Sequence, residues 1–364
     1  MGRMSSDWQR PAGQNRGVRV HIEGEDFWID GVPTYAGRTW NSHRIEGLLL
    51  NARLVQATFD DLNPVTRQRW AYPDTQQWDP DRNVRELVAM LPEYRQRGLR
   101  AITVNFQGGS PEGYSREQPW DNSAFAADGS LRRAFAERMR TVLTSADASG
   151  LAVIVGYFYQ GQDERLADEE AVLKAVDAAT NFLLEGDFEN ALVEINNECD
   201  THYEHPILQP PRVHELIARV KARAEGRLLV STSYRGGGRV PDESVARVAD
   251  FLLLHGNGTD DPNLIGAQVD ATRTLAGYRG QPIVFNEDDH FDFEQPWNNF
   301  TAALSRHASW GYFDPGPGAG GAPARGNYVD GFQLVPVNWS INTPRKRGFF
   351  DLVTEVSGAR PDNS

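Results

Sequence analysis

From about residue 81 to the C-terminal region the chain repeats one pattern: an amphipathic helix, a glycine, a short apolar strand, and a polar or aromatic strand end. Asp81 reads as the cap of a helix that Gly98 stops, with Pro92 expected to kink it or confine it to its later part, and LRAITVNFQGG follows. Ser130 reads as the cap of a helix with Leu131, Phe135, Met139 and Val142 on one face; Gly150 closes it and LAVIVGYFYQ follows. Asp168 opens a helix that Gly186 stops, ahead of ALVEINNE, and Pro211 starts one that Gly226 ends, ahead of RLLVSTSYRG. Three more turns of the pattern lead to DFLLLHGNG, PIVFNEDDH and SWGYFDPG. With PTYAGRTW counted first there are eight strands, each later one preceded by a helix. Strands without strong polar alternation are buried on both faces, as in parallel sheets. Eight such units favour an α/β fold closed into a single (β/α)8 TIM barrel. The alternative is an open α/β sheet with a small α+β domain, but no GxGxxG follows the first strand.

The boundaries follow from the same pattern. Residues 1–16 are polar and contain Pro and Gly, and read as a disordered tail; residues 17–358 form the barrel; residues 359–364 are a second tail. VRVHIEGEDFWIDGVPTYAGRTW has turns at Glu23-Gly24 and Asp30-Gly31 and reads as an N-terminal β-hairpin running into the first strand. Two insertions stand out. Residues 41–80 exceed a normal βα connection and are expected to form one wall of the cleft or a surface excursion. The Gly/Pro-rich DPGPGAGGAPARGNYVDGFQLVPVNWS after the eighth strand is expected to be a mobile loop.

Charge narrows the partners. The net charge of -13 argues against nucleic acid, which wants clustered Lys and Arg, and against an anionic membrane surface. No run approaches 18 apolar residues and the start carries no apolar signal core, so a cytoplasmic location is expected. Cys199 is the single cysteine, which leaves no intramolecular disulfide.

In a parallel barrel all strand C-termini meet at one rim, and chemistry sits there. The strand ends offer Arg38 and Trp40, Asn105 and Gln107, Tyr157 and Tyr159, Asn197 and Glu198, Tyr234 and Arg235, His255 and Asn257, Glu287 and Asp288, and Tyr312 and Asp314. Two strand-end carboxylates, each after an asparagine, stand out: Glu198 on strand four and Glu287 on strand seven. Among amides and aromatics they suit a neutral polyhydroxylated ligand. Glycoside hydrolysis needs such a pair, one to carry the proton and one to attack the sugar or activate water. Alternation leaves open which of Asn197 and Glu198 points inward, because strand ends often carry bulges.

With those residues in place, the chain resembles clan A of the glycoside hydrolases, which are retaining (β/α)8 enzymes. The order of elements, Asn-Glu at the end of strand four, Glu at the end of strand seven and the opening FWIDGVPTYAGRTW carry the resemblance, over roughly residues 18–357. It implies Glu198 as general acid/base, Glu287 as nucleophile and Asn197 as donor to the sugar 2-hydroxyl, with a β-linked carbohydrate as substrate and neither cofactor nor metal. Arg38, Trp40, Asn105, Tyr157, Tyr234, His255 and Trp297 are the further candidates for substrate binding. The chain departs from the clan in three places. Cys199 stands where many members have proline. His255-Gly256-Asn257 ends strand six, where many have a tyrosine on the nucleophile, and His255 is the candidate to substitute. An arginine is usual near strand two, and Arg38 is the nearest.

Other readings stay open: a carbohydrate-binding barrel without catalysis, and a metal-dependent barrel hydrolase using EDDH (Glu287 to His290) or CDTHYEH (Cys199 to His205). Neither of those stretches has HExxH spacing or paired CxxC. Cys199 with His202 is the weakest candidate for a nucleophile. The sugar, the linkage and the oligomeric state are not written in the residues.

Overall fold

The computed structural model describes residues 17–115, 117–316, 328 and 330–361. The tail 1–16, most of the glycine-rich part of the loop after the eighth strand (317–327 and 329) and residues 362–364 lie outside the described residues.

The N-terminal hairpin pairs β1 (Val20–Glu23) antiparallel with β2 (Asp26–Ile29), which pairs in turn with β3 (Val32–Pro33). Its apolar side covers one end of the barrel. Val18, Val20 and Phe27 are buried with Ala101, Ala152, Leu192, Leu253 and Val284 at the barrel-strand starts. A short ribbon follows, β4 (Thr39–Trp40) with β5 (His43–Arg44).

Eight βα units then run in order. They are β6 (Asn51–Arg53) and α1 (Pro80–Gln96), β7 (Ala101–Asn105) and α2 (Arg133–Ala148), β8 (Ala152–Phe158) and α3 (Glu169–Glu185), β9 (Ala191–Asn196) and α4 (Val213–Ala224). The second half holds β10 (Leu229–Ser231) and α5 (Glu243–Val248), β11 (Leu252–His255) and α6 (Pro262–Arg273), β12 (Ile283–Glu287) and α7 (Asn299–Ser305), β13 (Gly311–Tyr312) and α8 (Pro344–Ser357). The barrel strands are parallel: one ladder runs β10-β9-β8-β7-β6-β13 and a second joins β11 to β12. A parallel bridge between Val284 and Ser309 ties β12 to the β13 edge. Between β10 and β11 the ladder is broken; Asp250 N–H donates to Val230 O at 2.9 Å, and higher up Gly237 N–H donates to Asn257 O at 2.7 Å.

The eight-unit count holds, but its first strand is misplaced in the sequence reading. PTYAGRTW supplies the β3 edge and the β4 ribbon, and the first barrel strand is Asn51–Arg53, inside what looked like an insertion. Local signals also shift. Asp79, not Asp81, caps α1, accepting from the backbone N–H groups of Asp81 and Arg82, and the helix continues through Pro92. Helix α2 starts at Arg133 without a side-chain cap, whereas Asp168 caps α3 by accepting from Ala171 N–H. The remainder of the 41–80 segment is a folded β6–α1 loop. It is organised by Asp61, which accepts from the Trp70 indole N–H and the Thr66 hydroxyl, with Phe59 edge-on to Trp70 and Trp78.

Candidate active site

The strand ends of β6, β9, β11 and β12 converge at the barrel mouth. Arg53 closes β6 and is fully buried. Its Nε lies 2.6 Å from Glu287 Oε2, one terminal nitrogen donates to Asn197 Oδ1, and the other lies 3.7 Å from Glu194 Oε2 deeper in the barrel. Asn286 Nδ2 donates to that same Glu194 oxygen at 3.2 Å. A buried guanidinium bonded to one carboxylate and one amide, with a second carboxylate 3.7 Å away, keeps its charge balanced only if all three keep their places, so Arg53 ties three strands together.

Asn197 and Glu198 are consecutive, and both side chains reach this group. Asn197 Nδ2 donates to Gln160 while its oxygen faces Arg53. Glu198 adopts a φ of 49°, a left-handed conformation that reverses the strand's alternation. The turn is held from the next strand, where the Ser233 hydroxyl accepts from Glu198 N–H at 2.9 Å and the Ser233 carbonyl accepts from Cys199 N–H at 2.9 Å. The Tyr203 phenol donates to the Asn197 carbonyl at 2.5 Å. The question of which residue points inward is thus answered by a kink rather than by the pleat.

His255, at the end of β11, is fully buried between the two glutamates. Its Nδ1 lies 3.0 Å from Glu198 Oε1 and 3.7 Å from Glu287 Oε2. Burial pulls its pKa down, but the charge of Glu287 and the hydrogen bond with Glu198 outweigh this and leave it above 6.5. Asn257 Nδ2 donates to Glu287 Oε1 at 2.8 Å. One carboxylate oxygen from each glutamate and one ring nitrogen of His255 all lie within 4.8 Å of one another. The Glu198 side chain is 17% exposed and the Glu287 side chain 7%, so Glu198 is the more open to the cleft. The cleft that Glu198 lines has a volume of about 520 Å³, and its walls include Tyr114, Arg235, Arg239, Asn257 and Asp289. Tyr159 lies close enough for both glutamate charges to add to burial in raising its phenol.

The fold is that of the glycoside hydrolase family 5 barrels. A GH5-4 broad specificity endoglucanase from Bacteroides salanitronis matches over 85% of this chain and 93% of its own, at 11% identity and a TM-score of 0.54. A glycoside hydrolase family 5 structure from Bacteroides vulgatus matches over 92% and 70%, at 14% identity and a TM-score of 0.55. A family 5 mannosidase from Rhizomucor miehei matches over 94% and 98%, at 14% identity and a TM-score of 0.52. No family model and no curated protein matches the chain by sequence.

The structure brings Asn197, Glu198, His255 and Glu287 together and leaves the other expected residues elsewhere. Arg38 donates to the carbonyls of Val356 and Glu355 at the C-terminal end of α8, where a cation complements the helix dipole. Trp40 donates to Glu355 beside it, and that end of α8 lies away from the mouth. Asn105 is buried with its amide against Gly156 inside the barrel. The Tyr157 hydroxyl lies 3.2 Å from Thr180 Oγ1 on α3, so this ring faces the helix layer. Tyr234 is buried beside Cys199, whose thiol is pushed well up by burial, which disfavours thiolate chemistry there. Trp297 is exposed on the loop before α7, with its indole N–H on Asn263. Arg53 and Tyr114 are not among the sequence candidates, Tyr159 and Asn257 appear there only as strand ends, and Asp289 only within the EDDH stretch. Of these, Arg53 carries one local signal, a charged residue ending an apolar run, but the run itself reads as a turn of helix.

Among the described residues, two groups have the reach to hold a metal ion. In the first, Glu198, His255 and Glu287, the guanidinium of Arg53 already places a fixed positive charge on Glu287. In the second, Asp288, Asp289 and His290, the oxygens of Asp288 accept from the Trp310 indole, the Asn299 amide and the His290 ring. Both sets of donors are engaged with the protein, which suits hydrogen-bonded carboxylates better than a cation.

Proposed function

We propose that this chain is a glycoside hydrolase that cleaves a β-linked sugar with retention of configuration. The observation that carries the reading is that one carboxylate oxygen of Glu198 and one of Glu287 lie within 4.8 Å of each other at the mouth of a (β/α)8 barrel, with His255 beside both. Retaining enzymes hold their carboxyl groups roughly 5–5.5 Å apart, whereas inverting ones leave roughly 6.5–9.5 Å for a water. The shared fold with family 5 structures adds support.

The two glutamates are not equivalent. Glu287 accepts from Arg53 and Asn257, donors that a carboxylate wants and that leave it aimed across the mouth; it is the nucleophile. Glu198 borders the open cleft and has His255 at its back; it is the proton carrier. In the first step Glu287 attacks the anomeric carbon while Glu198 gives its proton to the departing glycosidic oxygen. In the second, Glu198 takes a proton from water as that water displaces Glu287 from the sugar. Asn197, held by Arg53 and Gln160, is positioned to bond the hydroxyl next to the anomeric carbon. The substrate is an uncharged carbohydrate, and the residues need no cofactor for these steps.

The test is a panel of aryl β-glycosides assayed with Glu198→Gln and Glu287→Gln. Both variants should lose turnover on every glycoside the parent cleaves. Retained turnover in both would falsify the assignment. A parent that binds sugars but cleaves none would favour a non-catalytic carbohydrate-binding barrel.

A further inference from the structure

Tyr114 sits in the loop between β7 and α2, far in sequence from both glutamates. Its ring packs edge-on against Phe313, with centroids 5.9 Å apart, and its phenol meets two side chains at the cleft. The hydroxyl donates to Asp289 Oδ2 at 2.9 Å and accepts from Asn257 Nδ2 at 2.7 Å. The same Asn257 nitrogen donates to Glu287 Oε1 at 2.8 Å.

These three bonds have a fixed direction. A carboxylate accepts only, so Asp289 takes the phenolic proton. The phenol oxygen is then left as an acceptor, and the Asn257 amide must turn its NH2 toward it. That NH2 has two hydrogens; one meets Tyr114 and the other meets Glu287. Were the amide reversed, its oxygen would face both the phenol oxygen and the Glu287 carboxylate. Tyr114 as a whole is 39% exposed, but desolvation of its hydroxyl end and the charges of Glu287 and Asp289 raise the phenol, which keeps its hydrogen on the bond to Asp289. The backbone of Asn257 is pinned as well, since Gly237 N–H donates to its carbonyl.

We infer that Asp289 and Tyr114 form a relay that orients the Asn257 amide and so keeps a donor on the nucleophile Glu287. Tyr114 and Asp289 are positioning residues. They act through Asn257 and set the aim and charge of a group they do not touch. The inference rests on the role proposed above for Glu287.

The experiment compares the parent with Tyr114→Phe and Asp289→Ala on an activated aryl glycoside, following kcat/KM against pH. Tyr114→Phe keeps the ring on Phe313 and deletes only the hydroxyl; Asp289→Ala removes the acceptor and leaves the phenol. Arg53, His255 and Glu198 also face Glu287, and Asp288 and His290 neighbour Asp289; all remain in both variants. Each variant should lose about tenfold in kcat/KM, as expected for one hydrogen bond to a charged group. KM should change little, and in Tyr114→Phe the acidic limb should move to higher pH because the attacking carboxylate has a less persistent donor; in Asp289→Ala the loss of the Asp289 charge beside Glu287 opposes that shift, so this variant is read by its rate. Unchanged rates in both variants overturn the inference. So does a loss of rate in Tyr114→Phe with the acidic limb in its original place, which is what a merely loosened loop gives. Covalent trapping of the parent by a 2-deoxy-2-fluoro glycoside, read by intact mass, separates the two claims. No adduct on any activated fluoro-glycoside ends the glycosidase reading and this inference with it, whereas an adduct with unaltered variants ends the inference alone.

Discussion

Arg53 Nε lies 2.6 Å from Glu287 Oε2, and the arginine is 1% exposed. Removing one member of a buried ion pair costs about 3–5 kcal/mol, because the partner is left charged and unpaired. Arg53→Met should therefore lower the melting temperature and abolish turnover. Arg53→Lys should recover part of the stability and little activity, since a single ammonium cannot span Glu287, Asn197 and Glu194 together. Thermal melts and initial rates on the same preparations check this.

The unequal surroundings of the two glutamates predict unequal defects. Glu198→Ala should lose about 10²–10⁴-fold on a substrate with a poor leaving group, and much less in the first step on a dinitrophenyl glycoside, which needs no protonation. Azide should restore turnover of this variant and give a glycosyl azide of retained configuration. Glu287→Ala should fail with every leaving group. Proton NMR of the first-formed parent product should show the substrate's own anomer; the opposite anomer would refute the double displacement.

Gly236 faces the backbone of Asn257 so closely that a Cβ there would lie 2.1 Å from the Asn257 carbonyl oxygen. Gly236→Ala has to move that loop, at about 1–3 kcal/mol for the overpacking. The displaced residue is the donor to Glu287, so kcat should fall further than the modest loss of melting temperature would suggest. A full-rate Gly236→Ala would show that Asn257 is dispensable.

His290 gives a pH signature for stability. Burial lowers its pKa, but the hydrogen bond and charge of Asp288, the bond to Asp260 and the charge of Asp289 lift it to about 9. The folded state therefore holds a proton that the unfolded chain releases near 6.5. The stabilisation is complete below pH 6.5 and disappears as pH rises through about 9. The parent's melting temperature should fall more steeply between those values than that of His290→Gln. Parallel curves would mean that the ring is not charged in the fold.

The sequence showed the fold more clearly than the site. Helix–glycine–strand punctuation is set by local chemistry, so the eight-unit count held even though its first member was misplaced. Asn51–Arg53 is only three residues long and follows three leucines, so it reads as a turn of helix, and an arginine inside a barrel runs against every burial pattern. Glu198 and Glu287 were legible because they end clear apolar runs. Tyr157 was misjudged because β8 is buried on both faces, and composition does not separate the lumen side from the helix side. Tyr114 lies in a loop without periodicity, where only the folded chain shows its partners.

The left-handed backbone at Glu198 sets this protein's stability against its activity. A non-glycine residue there costs roughly 1–2 kcal/mol that a glycine would not, offset in part by the roughly 0.5–1 kcal/mol that glycine loses through its freer unfolded chain. The inactive Glu198→Gly chain is relieved of that strain but also loses the carboxylate 3.0 Å from buried His255 Nδ1, so it should melt below the parent, whereas a Glu198→Gly chain that also carries His255→Gln should recover part of the loss. The kink that aims the acid/base group is thus tolerated only while its side chain has His255 to answer, and screens for hardier variants of this barrel need an activity gate.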